Sequence, residues 1–277
     1  MFELPEFVNL ARQMNAALLG KTIGRGCLGN SPHKFVWYNR SPEEFAQLIA
    51  GKVVGAARAQ GKWLFLPLQP GYVLLFGECG GWVSFHPAGS ELPKTYHLFL
   101  AFEDGSALTA MTQMWGAYEL YVEGEEQERQ YVKGMRPTPL ADEFTLDYFN
   151  ALVDGLLAEK KKRSAKGLLT QEQLIPGLGN AIAQDILLRA RLHPRHDLAA
   201  LYPEQRQELY RAIVDTVQEA IAGGGRNDEQ DLYGRPGGYV RVMDKDAAGR
   251  PCPVCATTIV KIQYLGGACY FCPGCQT

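Results

Sequence analysis

The chain has 277 residues, with 30 acidic against 28 basic side chains, a formal charge of −2 and a pI near 6.2. That length suggests two domains at roughly 100–200 residues each, and 46% hydrophobic with 21% charged residues excludes wholesale disorder. No apolar run approaches the ~18 residues of a membrane span, and the opening MFELPEFVNLAR lacks a signal peptide's basic flank, apolar core and cleavage site. A cytoplasmic protein is expected, and the whole-chain charge carries no electrostatic footprint of a nucleic-acid partner.

Residues 4–18 place apolar side chains at Leu4, Phe7, Val8, Ala11, Met14 and Leu18, with Pro5 suited to a first turn and Gly20 past the end. These spacings of three and four predict an amphipathic helix. From 34 to 122 the texture changes to short aromatic and β-branched runs broken by Gly and Pro, which read as strands at 34–38, 52–59, 62–68, 72–76, 82–85, 96–102 and 117–122. Many short strands at such spacing suggest a sandwich or barrel. An acidic, then proline-containing stretch at 123–140 reads as a linker, after which helical patterns occupy 143–158, 180–190 and 203–222, the last closing on Gly223-Gly224-Gly225. Strands followed by helices indicate an α+β fold, with a β-sandwich domain over 1–130, a helical domain over 143–225 and a terminal module over 246–277.

The terminal module is set by cysteine. Cys27 and Cys79 stand alone, whereas five cysteines crowd into 252–275, a cluster that in a cytosolic chain reads as metal binding. Cys252-Pro-Val-Cys255 and Cys272-Pro-Gly-Cys275 are knuckles separated by 16 residues, and a two-residue spacing lets both thiolates of a knuckle face one ion. Four thiolates suit one structural Zn²⁺ per chain. Cys269 offers a competing knuckle with Cys272, but the repeated C-P-x-C favours Cys252, Cys255, Cys272 and Cys275. The same spacing also fits an ion that does no more than staple a short hairpin.

Resolved by position, the charge is uneven. Eight Lys/Arg lie between Lys160 and His196, opposed there only by Glu172 and Asp185. Alone, KKKR at 160–163 reads as a solvated helix end. Its neighbour QLIPGLGN, ending in Gly179-Asn180, is a tight glycine-rich turn opening a helix. Helix N-termini bind anions and glycines let a phosphate approach, so a nucleic-acid backbone becomes the expected ligand.

These residues carry a resemblance that spans essentially the whole chain. QLIPGLGNAIAQDILLRARLHP resembles the helix-two-turns-helix of the formamidopyrimidine-DNA glycosylase/endonuclease VIII family. The hairpin ending in CPGCQ resembles that family's zinc finger, ELPE its N-terminal signature and GKWLFLPL its lysine-bearing strand. The resemblance implies base-excision repair on double-stranded, lesion-containing DNA by a monomer. Such an enzyme flips an oxidised base from the duplex, displaces it with an amine through a Schiff base, and cleaves the strand. By position, Glu3 matches the catalytic glutamate, Lys62 the strand lysine beside the lesion phosphate, Asn180 the phosphate-binding asparagine and Lys166 a basic residue upstream of it. Each has a plainer reading: Glu3 as a complement to the helix dipole, Lys62 as an edge-strand charge, Asn180 as an N-cap.

The departures fall where that family's chemistry lives. Its nucleophile is an N-terminal proline, whereas the second residue here is Phe2. The amine must then be that of Met1 or Phe2; α-amines titrate near ~7.7–8.0 against ~10.4 for lysine, so one is available at neutral pH. Glu78 stands where the family inserts an apolar wedge, Gln113-Met114-Trp115 where it offers Arg and Phe, and Gly267 at its zinc-finger arginine position. Trp115 can still stack and Gln113 can still hydrogen-bond an orphaned base. The first reading is a glycosylase/lyase with Met1 or Phe2 as nucleophile and Glu3 in proton transfer. The alternative is a non-catalytic protein that binds damaged DNA.

Overall fold

Helix α1 (Leu4–Leu18) covers the expected residues, with Pro5 in its first turn and Leu4, Phe7, Leu10, Met14 and Leu18 buried along one stripe. It leads into the strands of a computed structural model that describes residues 1–277. In chain order these elements are β1 (Ile23–Leu28), β2 (Val36–Trp37), α2 (Pro42–Ile49), β3 (Val53–Val54), β4 (Arg58–Gln60), β5 (Trp63–Gln69), β6 (Tyr72–Gly77), β7 (Gly81–His86), β8 (Leu98–Phe102), β9 (Ala107–Thr112) and β10 (Gly116–Val122). They form a four-stranded sheet, β1-β8-β9-β7, and a six-stranded sheet, β2-β10-β6-β5-β3 with β4 also on β5.

Alternation along β5 shows why the sheets stack. Leu64, Leu66 and Leu68 join Leu74, Phe76, Leu98, Leu100, Leu108 and Leu120 in one core. Trp63 and Phe65, on the opposite face, pack with Val73, Leu75 and Val132, as a period of two requires. Glu125–Glu128, within the expected linker, forms a short 3-10 turn. No helix of the chain is long and apolar enough to cross a membrane.

The helical part comprises α3 (Leu146–Ala158), α4 (Ala165–Thr170), α5 (Asn180–Arg189) and α6 (Pro203–Ala222), followed by the hairpin β11 (Val260–Tyr264) and β12 (Gly267–Phe271). Thr145 and Ser164 cap α3 and α4 by accepting from the backbone N–H groups of Tyr148 and Gly167. The α+β class and the order sandwich, helices, hairpin stand as expected.

Packing groups the chain into two compact units, Met1–Met135 with Ile221–Tyr239, and Arg136–Ala220 with Val240–Thr277. The hairpin belongs with the helices because Tyr270, Cys272 and Ile259 share a core with Leu188 and Met243. The glycine-rich segment after α6 belongs with the sandwich because Leu232 is buried in its core.

Candidate active site and nucleic-acid interface

The N-terminal corner is built by residues that lie far apart in sequence. Phe2 is fully buried, its ring edge-on to Phe7 at 5.8 Å, and its N–H donates to the Cys79 carbonyl at 2.8 Å. Burying Phe2 fixes the chain direction and leaves Met1 39% exposed. The Met1 ammonium sits 2.6 Å from Glu229 Oε1. Gly80 closes the other side: a Cβ there would stand 3.2 Å from Met1 Cα, so a side chain at this position would press on Met1.

Beneath the amine lies a buried guanidinium. Arg226 donates to both Glu6 carboxylate oxygens (3.1 and 3.0 Å), to the Met1 carbonyl at 2.7 Å and to Glu229 Oε1 at 3.3 Å. Burial alone would lower its pKa, but Glu6, Glu3 and Glu229 carry it above the ordinary arginine value. Burial raises the Glu229 carboxyl above its usual range, against the pull of the Met1 ammonium and Arg226. Glu3 is buried as the N-cap of α1, and its N–H donates to Glu6 Oε2 at 2.8 Å.

The other sandwich candidates converge on this corner through backbone bonds. The Lys62 carbonyl accepts from Glu78 N–H at 3.0 Å, Gly80 N–H donates to the Trp115 carbonyl at 3.2 Å, and Gln113 N–H donates to the Gly80 carbonyl. Met1, Phe2, Lys62, Gln113 and Trp115 are thus tied to one turn, Glu78–Gly80. Lys62 is buried rather than at an exposed edge. Trp115 keeps 40% of its surface exposed and stacks on Trp37 at 5.4 Å. Cys79 is buried, and burial pushes its thiol up to about 12, so it is no nucleophile. Sequence reasoning missed Glu6, Arg226 and Glu229. Only the polar text of 226–231, out of keeping with a segment that enters a core, pointed to the last two.

In the helical unit, the turn between α4 and α5 packs Leu174, Ile175 and Leu178 inward. Gly179 is the N-cap and Asn180 the first helical residue, which corrects the N-cap reading of Asn180. The Asn180 amide donates to the Ala268 carbonyl at 3.1 Å, and a Cβ on Gly267 would lie 3.4 Å from Asn180 Oδ1. Lys166 is only 1% exposed and donates to the Tyr264 carbonyl at 2.7 Å; burial lowers its pKa. Both expected phosphate ligands therefore hold the β11–β12 hairpin.

The four thiols of Cys252, Cys255, Cys272 and Cys275 lie within 4.8 Å of one another, with Cys252–Cys275 at 3.8 Å and Cys255–Cys272 at 3.4 Å. Four sulfurs ~2.3 Å from one tetrahedral ion stand about 3.8 Å apart, so the set fits a metal. Cys269, buried opposite Ile262 in the hairpin, lies outside it.

The basic excess of 160–196 shrinks once its partners are placed. Arg163 pairs with Glu159 and Glu172, Lys161 with Glu159, Lys162 with Asp197 and Arg189 with Glu219. Glu159 and Asp197 flank the window directly, and Glu219 is brought to it from α6.

Residues 1–113 match the formamidopyrimidine-DNA glycosylase N-terminal domain and residues 135–230 its H2TH domain. The formamidopyrimidine-DNA glycosylase of Chloroflexus aurantiacus is 35% identical over 100% of this chain and 98% of its own length. The chain belongs to the formamidopyrimidine-DNA glycosylase family. The Bacillus licheniformis protein of that name is 29% identical, over 100% of this chain and 99% of the relative. Among solved structures, the MutM (Fpg) protein of Thermus thermophilus superposes with a TM-score of 0.81 at 26% identity, over 99% of this chain and 98% of that one. Lactococcus lactis Fpg in complex with abasic-site DNA superposes at 0.84 with 23% identity, over 99% of both chains. Against that family background, Glu78 and Trp115 are the departures that the fold places side by side, on one cavity.

Proposed function

We propose that this family member is a base-excision-repair DNA glycosylase and abasic-site lyase, acting on oxidised bases in double-stranded DNA with the Met1 α-amine as nucleophile. The observation that carries this reading is the exposed Met1 amine on Glu229, anchored from below by Arg226. With Met1 in place the Phe2 nitrogen is an amide that donates to the Cys79 carbonyl, so Phe2 could serve only after Met1 is removed.

In the proposed step the Met1 ammonium gives a proton to Glu229, and the freed lone pair forms a bond to C1′ as the bond from C1′ to the base breaks. Glu3 moves protons at the sugar and the departing base. Breaking of the bond from C1′ to the ring oxygen then opens the sugar, that oxygen taking up a proton as a hydroxyl while the Met1 nitrogen becomes an imine, from which the strand is cut by elimination and the amine is released by hydrolysis. Arg226 fixes the Met1 carbonyl, so the amine is presented in one orientation; positioning of this kind is worth many-fold in rate. Lys62, Gln113 and Trp115 face the damaged site, and Gly179, Asn180 and Lys166 set the backbone grip together with the hairpin. Cys252, Cys255, Cys272 and Cys275 would hold one structural Zn²⁺, which would stiffen that hairpin and take no part in the chemistry. The protein works as a cytoplasmic monomer.

Borohydride trapping on abasic and oxidised-base duplexes, with intact-mass measurement of the N-terminus and peptide mapping of the adduct, tests the reading. The adduct is expected on Met1. No adduct across a lesion panel, with tight abasic-duplex binding retained, would instead establish the non-catalytic damaged-DNA-binding reading.

A further inference from the structure

A cavity of about 280 Å³ opens in the sandwich unit beside the Glu78 turn, walled by Trp37, Trp63, Trp115, Tyr131, Arg129 and Glu78. Three of its aromatic walls are left in solvent: Trp37 is 45%, Trp115 40% and Tyr131 55% exposed. Such clustered aromatic exposure costs hydration free energy and marks an interaction site. Trp37 and Trp115 stack on each other with centroids 5.4 Å apart and planes within 10°, and Phe35 packs on Trp115 at 4.5 Å, so the mouth presents the outer side of a stiff aromatic stack.

The charged walls differ in what they can offer. Arg129 is committed: it donates to both oxygens of Glu119 at 2.8 and 3.2 Å, and its guanidinium covers the Trp63 ring at 4.8 Å. Glu78 is not. Its carboxylate makes no hydrogen bond or ion pair, and its backbone sits at φ 45°, a conformation that non-glycine residues seldom adopt. An unneutralised carboxylate repels phosphate, so the cup is not a backbone-binding site. A ligand cation is disfavoured too, because Arg129 already occupies the inner π-face and the parallel tryptophans do not surround a sphere.

What remains is a planar, neutral ring with N–H donors on one edge. A carboxylate only accepts, through two oxygens side by side. Guanine alone among the four bases answers with two adjacent donors, N1–H and N2–H. Adenine and cytosine set a ring acceptor beside their amino group, and thymine flanks its single N–H with carbonyls. Stacking on aromatic faces is worth about 1–3 kcal/mol per base whatever its identity, so the stack supplies affinity and Glu78 the choice.

We propose that this cup binds an unpaired guanine, stacked on the outer side of the Trp37–Trp115 pair with its Watson–Crick edge on Glu78. That the guanine belongs to a DNA strand rests on the proposed function; the choice of base does not.

Tryptophan fluorescence of the full-length protein, titrated with GMP, AMP, CMP and TMP, tests the cup directly. GMP is expected to bind at least about tenfold more tightly than the others, within the range of one bidentate pair. Glu78→Gln should bring the four within about twofold, since an amide no longer offers two acceptors, while Trp115→Ala should weaken all four together. Four equal responses, no saturable response, a response to inorganic phosphate alone, or saturation by tetramethylammonium would each overturn the proposal. On abasic duplexes, the wild-type protein should prefer guanine opposite the gap and Glu78→Gln should lose that preference. Selective GMP binding by a protein that ignores abasic DNA upholds the cup and sinks the repair reading. Trapping on abasic DNA without any preference for guanine, free or opposite the gap, does the reverse.

Discussion

The four-cysteine centre and the N-terminal corner hold their reactive atoms together by different routes. The cysteines arrive in two knuckles 16 residues apart on one hairpin, so local backbone geometry is enough to bring their four sulfurs within 4.8 Å of one another. Met1 meets Glu229 across 228 positions of sequence, and a buried guanidinium, itself costly to desolvate, is what joins them. The first site is gathered locally and could hold a metal; the second depends on the rest of its unit being folded. The lesson is that one chain builds one cluster by local cooperation and the other by bringing together residues that lie far apart in sequence.

Removing the ion should break the first site outright. Structural zinc contributes about 10–16 kcal/mol in small zinc-finger modules, so Cys272→Ser is expected to lose bound metal, measured by elemental analysis, and to cost more DNA affinity than any other single change. Wild-type affinity in a Cys272→Ser protein that holds no metal would show the hairpin to be self-sufficient. At the second site, Arg226→Met leaves Glu6 buried without its partner, a defect of about 3–5 kcal/mol that urea unfolding should register. A loss below ~1 kcal/mol would mean that water enters and solvates Glu6, and the corner would then be softer than its geometry.

Legibility follows the same division. Helix α1, α6 and the cysteine set were readable because period, caps and spacing act over a few residues. Helix α2 was missed although Ser41 and Glu44 form a capping box there, a signal overshadowed by the surrounding aromatic runs. Strand β1 was missed because IGRGCL lacks a β-branched run; its pairing with β8, set by tertiary contact, outweighs its weak propensity. In the candidate site the positions of Glu3, Lys62 and Asn180 were legible as motifs. Their surroundings were not, since Arg226 reaches Glu3, the Glu78 turn reaches Lys62 and Ala268 reaches Asn180 only through the fold.

A third test addresses the proton at Met1. Glu229 must be ionised to accept it, so trapping should fall as pH drops through the Glu229 pKa, which burial lifts above the ordinary glutamate range. The groups facing Glu229 are the Met1 ammonium, Arg226 and Glu6. Glu229→Gln is expected to lower the trapping rate by about 100-fold, the low end for general-base catalysis, and to erase that acid limb. Abasic-duplex binding measured in parallel separates lost chemistry from lost folding. An unchanged rate and an unchanged limb would remove Glu229 from the mechanism and leave it as an anchor only.

The smallest effects should come from Lys166 and Asn180, and they decide how far the two sites really differ. If these side chains serve the hairpin, as their bonds to Tyr264 and Ala268 indicate, Asn180→Ala should cost about 1 kcal/mol of stability. Lys166→Met should leave the salt dependence of DNA binding unchanged, because an amine engaged with a carbonyl releases no counterion from DNA. A cation on a phosphate behaves otherwise: its loss lowers the slope of log affinity against log salt by about one. Such a slope change for Lys166→Met would mean that Nζ leaves the Tyr264 carbonyl for DNA. The hairpin would then be a latch released on binding, and the helical unit, like the N-terminal corner, would assemble its working geometry from groups that the free protein uses for its own support.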